Sequence, residues 1–583
     1  MSQDERRGVS RRDLLKSGAV AGAAAAAGLG GARSASAAPA PQTPPNPPSG
    51  RATQPDGDLI LYNGVIHTMD GHNTVAKVIA IERGRIIYVG NNLGAIGDFH
   101  GRAPKPINLR GRTVIPGIID CHNHIVLMGN RPGHHTPLEN AYSIADVQAT
   151  YAARAAGVPA GEFITTIGGF HSNHFAERRL PTLAELDAAI PSHPAFISLG
   201  FIGPAATNSL GKAFFENIPP PDGPVTVSET GSIAAGTQNG RALLALRRAL
   251  TFEQREQSVR DAMAYAVSVG VTTHLDQGAF QAVNAPSDGA AHEDNFAMQL
   301  PFLSVYQAGE AKIRLRINFL YMDNDADSAA LGQRLLNAFP FFGNDMVRTG
   351  GIGEFVAPDP TAPITDPTAN NTRWLNAARK VAQARWRAEV HSLTATDFQA
   401  EIDGFVQIDN EIGIGDLRWV VAHVPRITEE YVNRLKAIGG GVNLTGWQYL
   451  AGSGTAAGPP FRMIVDNGIQ AGMSSDGMQI APMNPFIHAY YATTGRNALG
   501  DVINVGQQVT RQELLTLYTR ANGWFLGLED ENQLGTLEVG RLGDLVILDR
   551  DYFTVPVEQL RQVRSVLTVL GGEIVHNTGE VTR

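Results

Sequence analysis

Short blocks of β-branched and aliphatic residues dominate residues 58–112 and reappear at the far end of the chain. Leu59-Ile60-Leu61-Tyr62 and Val65-Ile66-His67-Thr68-Met69 flank Asn63-Gly64, which reads as a hairpin turn. Val78-Ile79-Ala80-Ile81 and Arg85-Ile86-Ile87-Tyr88-Val89 repeat the pattern about Glu82-Arg83-Gly84. Strand-like runs return at Asp544 to Asp549, Ser565 to Leu570 and Glu573 to His576. Residues 58–112 and 533–583 are therefore expected to form one discontinuous β-sandwich that closes around a central insertion.

Residues 113–532 change rhythm. Phe252 to Val269 has helical periodicity and is followed by the apolar run Gly270 to Asp276; further runs lie at Ile313 to Tyr321, Gly350 to Phe355, Arg387 to His391, Arg418 to His423, Gly440 to Leu444 and Gln470 to Asp476. Alternating helix and buried strand predicts a parallel β/α architecture. The interval from Ile125 to Thr251 is too long for a loop and predicts an inserted capping region. Several strands end in a residue able to bind a metal or transfer a proton, and in a barrel such ends meet on one face.

Composition narrows the class. The chain has 583 residues, 43% hydrophobic and 18% charged, with a net charge of -9 and no long basic run in the folded part, which gives no case for nucleic-acid binding. Ser10-Arg11-Arg12-Asp13-Leu14-Leu15-Lys16, a weakly apolar Ala/Gly run and Ala35-Ser36-Ala37 read as a twin-arginine export signal over 1–37. A Pro-rich linker over 38–57 follows. Twin-arginine machinery as a partner and a periplasmic or extracellular destination are the corresponding expectations, with no permanent membrane span. The single cysteine, Cys121, excludes an intrachain disulfide and reads as a packed thiol.

The chemistry concentrates at Thr113-Val114-Ile115-Pro116-Gly117-Ile118-Ile119-Asp120-Cys121-His122-Asn123-His124. Side chains two apart on a strand face the same way, so His122 and His124 can both project beyond its end toward one metal ion. His274 after another strand and Trp447 after the seventh are candidates for binding substrate; Tyr449 extends that aromatic wall. His171 and His174 could line an entrance, and Arg426 could meet a substrate anion.

In this order over residues 58–575, the Val-Ile-Pro-Gly-Ile-Ile-Asp-Cys-His-Asn-His strand, Leu180 to Asp187, Asn208-Ser209, Gly270 to Thr273, the strand-end histidines, Ser475-Asp476 and Gly543 to Asp549 resemble the amidohydrolase superfamily, in particular its amidohydrolase 3 group. The resemblance implies a TIM-like (β/α)8 barrel with a composite β-sandwich. It also implies a metal-dependent hydrolase of carbon-nitrogen bonds other than peptide bonds. His122 and His124 match the first-strand ligands, His391 the fifth, His423 the sixth and Asp476 the eighth-strand carboxylate and proton carrier. Many relatives place a lysine on the fourth strand, where this chain has Gly350-Gly351-Ile352-Gly353-Glu354. Glu354 could replace it as a bridging carboxylate, although its one-residue offset reverses its facing unless the glycines form a bulge. One or two divalent ions, zinc first, are expected. If Glu354 does not bind, one metal would rest on His122, His124, His391 and Asp476, with His423 on the substrate. Small amides, formamides or cyclic amides are the leading substrates. Ester or lactone hydrolysis, cyclic deamination and a noncatalytic binding barrel are the rivals, and a homo-oligomer is compatible with all of them.

Overall fold

The computed structural model describes residues 56–581 except 201, 221–222, 279–297, 324, 362–366, 452–456 and 479–480. The expected export signal and the linker as far as residue 55 lie outside the described residues.

Both chain ends share one sheet. Its strands run in the order Glu573–Asn577, Ser565–Leu570, Leu545–Leu548, Thr113–Pro116, Leu59–His67, Val75–Glu82, Arg85–Gly90, with Ile107–Asn108 also paired to Leu59–His67. Leu61, Ile79, Val114, Ile547 and Val569 form its fully buried core. These strands form one continuously hydrogen-bonded sheet that draws on both expected halves of the discontinuous domain. The strand Thr113–Pro116 is the reason: it pairs in parallel with Val65 and Ile66 on one side and antiparallel with Leu545–Leu548 on the other. This strand was expected to begin the barrel. Gly117 separates it from the next strand, and a Cβ there would fall 2.2 Å from Thr272 Oγ1, so the chain bends where only glycine fits. Asn63-Gly64 is likewise not a hairpin. It sits inside the single strand Leu59–His67, where the register slips between Tyr62 and Ile66 and Asn63 takes a φ of 57°. The turn at Arg83-Gly84 does form, with both residues at positive φ, as a two-residue hairpin of right-handed twist requires.

Eight parallel strands build the central region: β1 (Ile118–Asn123), β2 (Val271–Asp276), β3 (Arg314–Phe319), β4 (Val347–Ile352), β5 (Glu389–Ser392), β6 (Val420–His423), β7 (Gly441–Thr445) and β8 (Gln470–Ser474). They form two four-stranded sheets, β4-β3-β2-β1 and β5-β6-β7-β8. All residues of β2 and β6 are buried, as helices on the outer face require. The long helix Phe252–Ser268, started by a reciprocal Thr251/Gln254 cap, precedes β2 where the periodicity placed it.

Among the described residues the eight strands do not pair into a single closed barrel sheet. One bridge, Ile352 to Ala388, links β4 to β5. Past the end of β8, the Asp476 N–H donates to the His122 carbonyl at 3.0 Å and the His124 N–H to the Gly477 carbonyl at 2.9 Å. The ladder breaks beside strands whose register slips, β1 against β2 and β4 against β3. An extra residue on one strand takes neighbouring groups out of pairing distance.

The insertion carries its own five-stranded sheet, in the order Ser232–Ile233, Ala205–Ala206, Ala195–Ser198, Ile164–Ile167, His134–His135. Glu139 ties it to the segment after β8, accepting the backbone N–H groups of Met483 (2.6 Å) and Asn484 (2.9 Å) and the Tyr265 hydroxyl (2.5 Å). Among the described residues no helix is long and apolar enough to cross a membrane.

Candidate metal centre

The C-terminal ends of β1, β4, β5, β6 and the turn after β8 bring six predicted residues together. His122 lies on β1, but His124 lies one residue past its end, at φ -113° and ψ 44° before a short helical turn. Both rings still enter the cluster, with centroids 5.6 Å apart. Their outer nitrogens are fixed: His122 Nδ1 is 2.6 Å from Glu389 Oε1, and His124 Nδ1 donates to the Gly278 carbonyl at 2.7 Å. With Nδ1 so engaged, each Nε2 lone pair turns toward the centre, which is how metal-binding imidazoles are oriented.

Glu354 reaches the same space because β4 carries a bulge. Ile317 pairs with Thr349 and Phe319 with Ile352, so three steps on β4 oppose two on β3, with Gly350 and Gly351 between. A Cβ on Gly350 would lie 2.5 Å from Asn318 Oδ1, and one on Gly351 2.6 Å from the Arg387 carbonyl; the close approach needs glycine at both. The Glu354 carboxylate then stands 3.2 Å from His124 Nε2, 3.4 Å from His122 Nε2, 3.0 Å from His423 Nε2 and 2.9 Å from His391 Nδ1. Asp476 Oδ1 is 3.3 Å from His124 Nε2, and its Oδ2 is 3.7 Å from His423 Nδ1. His423 and Asp476 both hold left-handed backbone, φ 68° and 57°. Such a conformation costs a non-glycine residue about 1–3 kcal/mol and is found where the surroundings enforce it.

Two donor groups result, His122/Glu354/His423 and His122/His124/Asp476, each with its ligand atoms within 4.8 Å of one another and all side chains buried. His122 is common to both, and its buried Nε2 has no hydrogen-bond partner. Imidazole nitrogens and carboxylate oxygens converging on such an orphaned atom fit a divalent cation. His391 joins through Glu354 and belongs to neither group.

The field of the site favours positive charge. Burial opposes an imidazolium at His122, but the nearby carboxylates Glu354 and Glu389 outweigh it and push His122 up to about 10. Burial likewise opposes charge on His124, and Glu354 and Asp476 raise it well above the usual histidine range. Glu354 is held well below the carboxylate range against burial by His391 and His124. His423 goes the other way: burial takes it down to about 4, so it is a neutral donor.

The remaining predicted residues divide. Trp447 is half-buried with its ring 6.4 Å from that of His423, and His391 retains some exposure. His274 is fully buried in β2, its nearest charged neighbour Asp120 at 3.9 Å, and burial holds it down to about 3; it lies in the wall, away from any exposed surface. Cys121 is a packed thiol, 3.0 Å from Asn522 Oδ1.

Two positioning carboxylates were not anticipated. Glu389 braces His122 and is itself held at about 2, against burial, by Arg387 at 2.6 Å and by His122. Asp120 accepts the Ser475 N–H at 3.1 Å and the Asn123 amide at 3.1 Å, fastening the residue next to Asp476 to β1. The signal for both was in the sequence: each precedes a predicted ligand by two positions on a strand.

The chain is similar to known proteins along most of its length. Over 560 residues the chain is 23% identical to N-substituted formamide deformylase of Arthrobacter pascens, covering 88% of this chain and 97% of that enzyme. Its fold is similar to that of an uncharacterized metal-dependent hydrolase from Pyrococcus horikoshii, at TM-score 0.57 and 17% identity, covering 86% of this chain and 99% of the other. It is also similar to an atrazine chlorohydrolase from Arthrobacter aurescens complexed with zinc and atraton, at TM-score 0.50 and 17% identity, covering 89% and 95%. The amidohydrolase family profile matches residues 105–576, a span that contains every strand bearing a site residue, and the chain belongs to the amidohydrolase family of metal-dependent hydrolases of carbon-nitrogen bonds.

Proposed function

We propose that this protein hydrolyses the carbon-nitrogen bond of a small N-substituted formamide, amide or cyclic amide, using one or two divalent ions, zinc first, in a centre made by the strand ends of a (β/α)8 barrel. The observation that carries the reading is the pair of buried donor groups sharing the unpartnered His122 Nε2. Similarity to a formamide deformylase along 97% of its length supports the substrate class. The arginine pair and small-residue site before residue 38 support export before use.

His122, His124, Glu354, His423 and Asp476 would hold the ions. When bound, such an ion supplies a Lewis acid for the acyl oxygen and a more acidic water. Asp476 lies among the ligands with two carboxylate oxygens on different histidines, so it can take a proton from the attacking water and return it to the departing nitrogen. The products are a carboxylic acid and an amine. Glu389 keeps the His122 ring aligned throughout, and Trp447 lines the approach to the cluster.

The test is metal content per chain, measured on protein purified without chelator, beside product analysis on formanilide. Two ions falling to one or none in Glu354→Gln, with formate and aniline released by the unsubstituted protein, is the expected result. A metal-replete protein that leaves a broad panel of amides and lactams intact would overturn the reading.

A further inference from the structure

Away from the metal centre, the insertion and the segments at residues 498–499 and 561 enclose a cleft of about 250 Å³. None of the metal-site residues lines it. Its walls include Tyr142, His174 and Phe175 from the insertion, with Arg178 at the rim and Arg561 entering from the short helical turn Val557–Gln562.

The charges in this cleft are unmatched. The Arg561 guanidinium lies 4.8 Å over the Tyr142 ring and 5.2 Å over the Tyr490 ring, and donates to the Tyr449 hydroxyl at 3.3 Å. Its Nε is buried without an acceptor, and among the described residues no carboxylate pairs with it. Glu558 on the same turn is engaged by the Tyr490 hydroxyl at 3.1 Å. Arg178 is exposed and also has no ion-pair partner among the described residues; the neighbouring Glu177 accepts the Ile144 N–H at 3.0 Å. His174 is only 6% exposed, yet both its ring nitrogens lack hydrogen-bond partners. Burial brings it down to about 3, so it is neutral and offers one N–H donor. Aromatic faces offset part of the cost of desolvating a cation, but they supply no oxygen acceptor to its in-plane N–H groups, and the Tyr449 hydroxyl takes only one of them.

We propose that this cleft binds the carboxylate of a small aromatic acid, with Arg178 and Arg561 on the oxygens, His174 donating to them, and Tyr142 and Phe175 against the ring. A planar guanidinium matches a carboxylate in shape and charge, and the volume suits one small ring. The acid is either the remote end of a substrate or a separate ligand. A link to the metal centre exists: the Asn173 amide donates to the Leu450 carbonyl at 3.4 Å, three residues past Trp447, whose ring faces His423. Binding itself does not depend on the proposed hydrolysis; only its assignment to a substrate end rests on that reading.

The probe is 4-bromobenzoate, located by bromine anomalous scattering in crystals of the full chain and titrated by calorimetry. The expected result is bromine in the cleft, an affinity about tenfold weaker in Arg178→Gln, and no comparable binding of neutral 4-bromobenzamide. Arg178 is exposed, so that variant decides the matter even where Arg561→Gln fails to fold. Bromine at the metal centre alone, binding at crystal concentration only, equal binding of the amide, or unchanged affinity in Arg178→Gln would each overturn the proposal. Turnover then separates the sources. If Arg178→Gln lowers kcat/KM for 4-formamidobenzoate and not for formanilide, the acid belongs to the substrate; if both are unchanged while bromobenzoate binding weakens, it is a separate ligand.

Discussion

Two buried ionic regions lie near opposite ends of the central strands, and they differ in how completely they are matched. At the start of β3, Arg314 makes two bonds to Asp544 (2.7 and 2.8 Å) and Arg316 two to Asp530 (2.6 and 2.9 Å), all four groups buried. The Asp345 carbonyl takes a further N–H from each arginine at 3.1 Å. At the far ends, two carboxylates, Glu354 and Asp476, are shared among four imidazoles, and His122 Nε2 makes no hydrogen bond. Burial costs charged groups heavily in both places. Where each cation has its own bidentate carboxylate the arrangement holds strands and connections together; where donors outnumber acceptors and converge, the arrangement is completed by something that binds.

The sharpest separation of the two regions is Asp476→Asn, which should lower kcat by about 10²–10⁴ while leaving the unfolding midpoint of the metal-free protein in urea unchanged; hydrolysis at the original rate would remove Asp476 from the chemistry. Asp530→Asn is the mirror experiment. It strands Arg316 and should destabilise the fold by about 3–5 kcal/mol, with turnover per folded molecule preserved. A collapse of turnover in the folded fraction would show that the two regions are one.

Removing the divalent ion with a chelator should lower the melting temperature, since an ion at a hundredfold excess over its Kd contributes about 2.7 kcal/mol. The same shift should persist in Asp530→Asn and shrink in Glu354→Gln. Glu389→Gln loosens His122 without removing a ligand, and metal affinity measured by competition should fall by about 10–100-fold; an unchanged affinity would assign Glu389 to the fold alone.

Glu139 gives the smallest effect. Burial raises its carboxyl to about 7, against the bonds from Tyr265, Met483 and Asn484. Its contribution is therefore complete below the ordinary glutamate value and is lost as pH rises through about 7. Melting temperature should decline over that window in the unsubstituted protein and follow a flatter course in Glu139→Gln; an equally steep decline in the variant would assign the pH dependence to another group.

The parts of the site legible in the sequence were those whose signal is local. His122, His124, His391, His423 and Asp476 stand at or just past apolar runs, and a strand end needs only a few neighbours to declare itself. Glu354 was legible only together with Gly350 and Gly351, because its facing depends on the bulge they permit. Glu389 was hidden in Arg387-Ala388-Glu389-Val390-His391, where its charge resembles that of any polar strand position until His122 is brought to it from β1. Asn63-Gly64 misled because a hairpin and a bulge make the same demand for positive φ. Thr113–Pro116 ran unbroken into β1 because both are apolar, and only its distant partners reveal that it belongs to another sheet.

That strand has a consequence for how the molecule is made. Val114 pairs with Ile66, synthesised before it, and with Ile547, synthesised long after it. Until Leu545–Leu548 emerges from the ribosome, one edge of Thr113–Pro116 lacks its native neighbour, and an open edge is a template for pairing with another chain. Gly117 alone separates that edge from the strand carrying His122. The strand Leu545–Leu548 thus acts as a clasp, and a nascent chain arrested before Leu545 would hold its first metal ligand one short bend away from an unsealed edge.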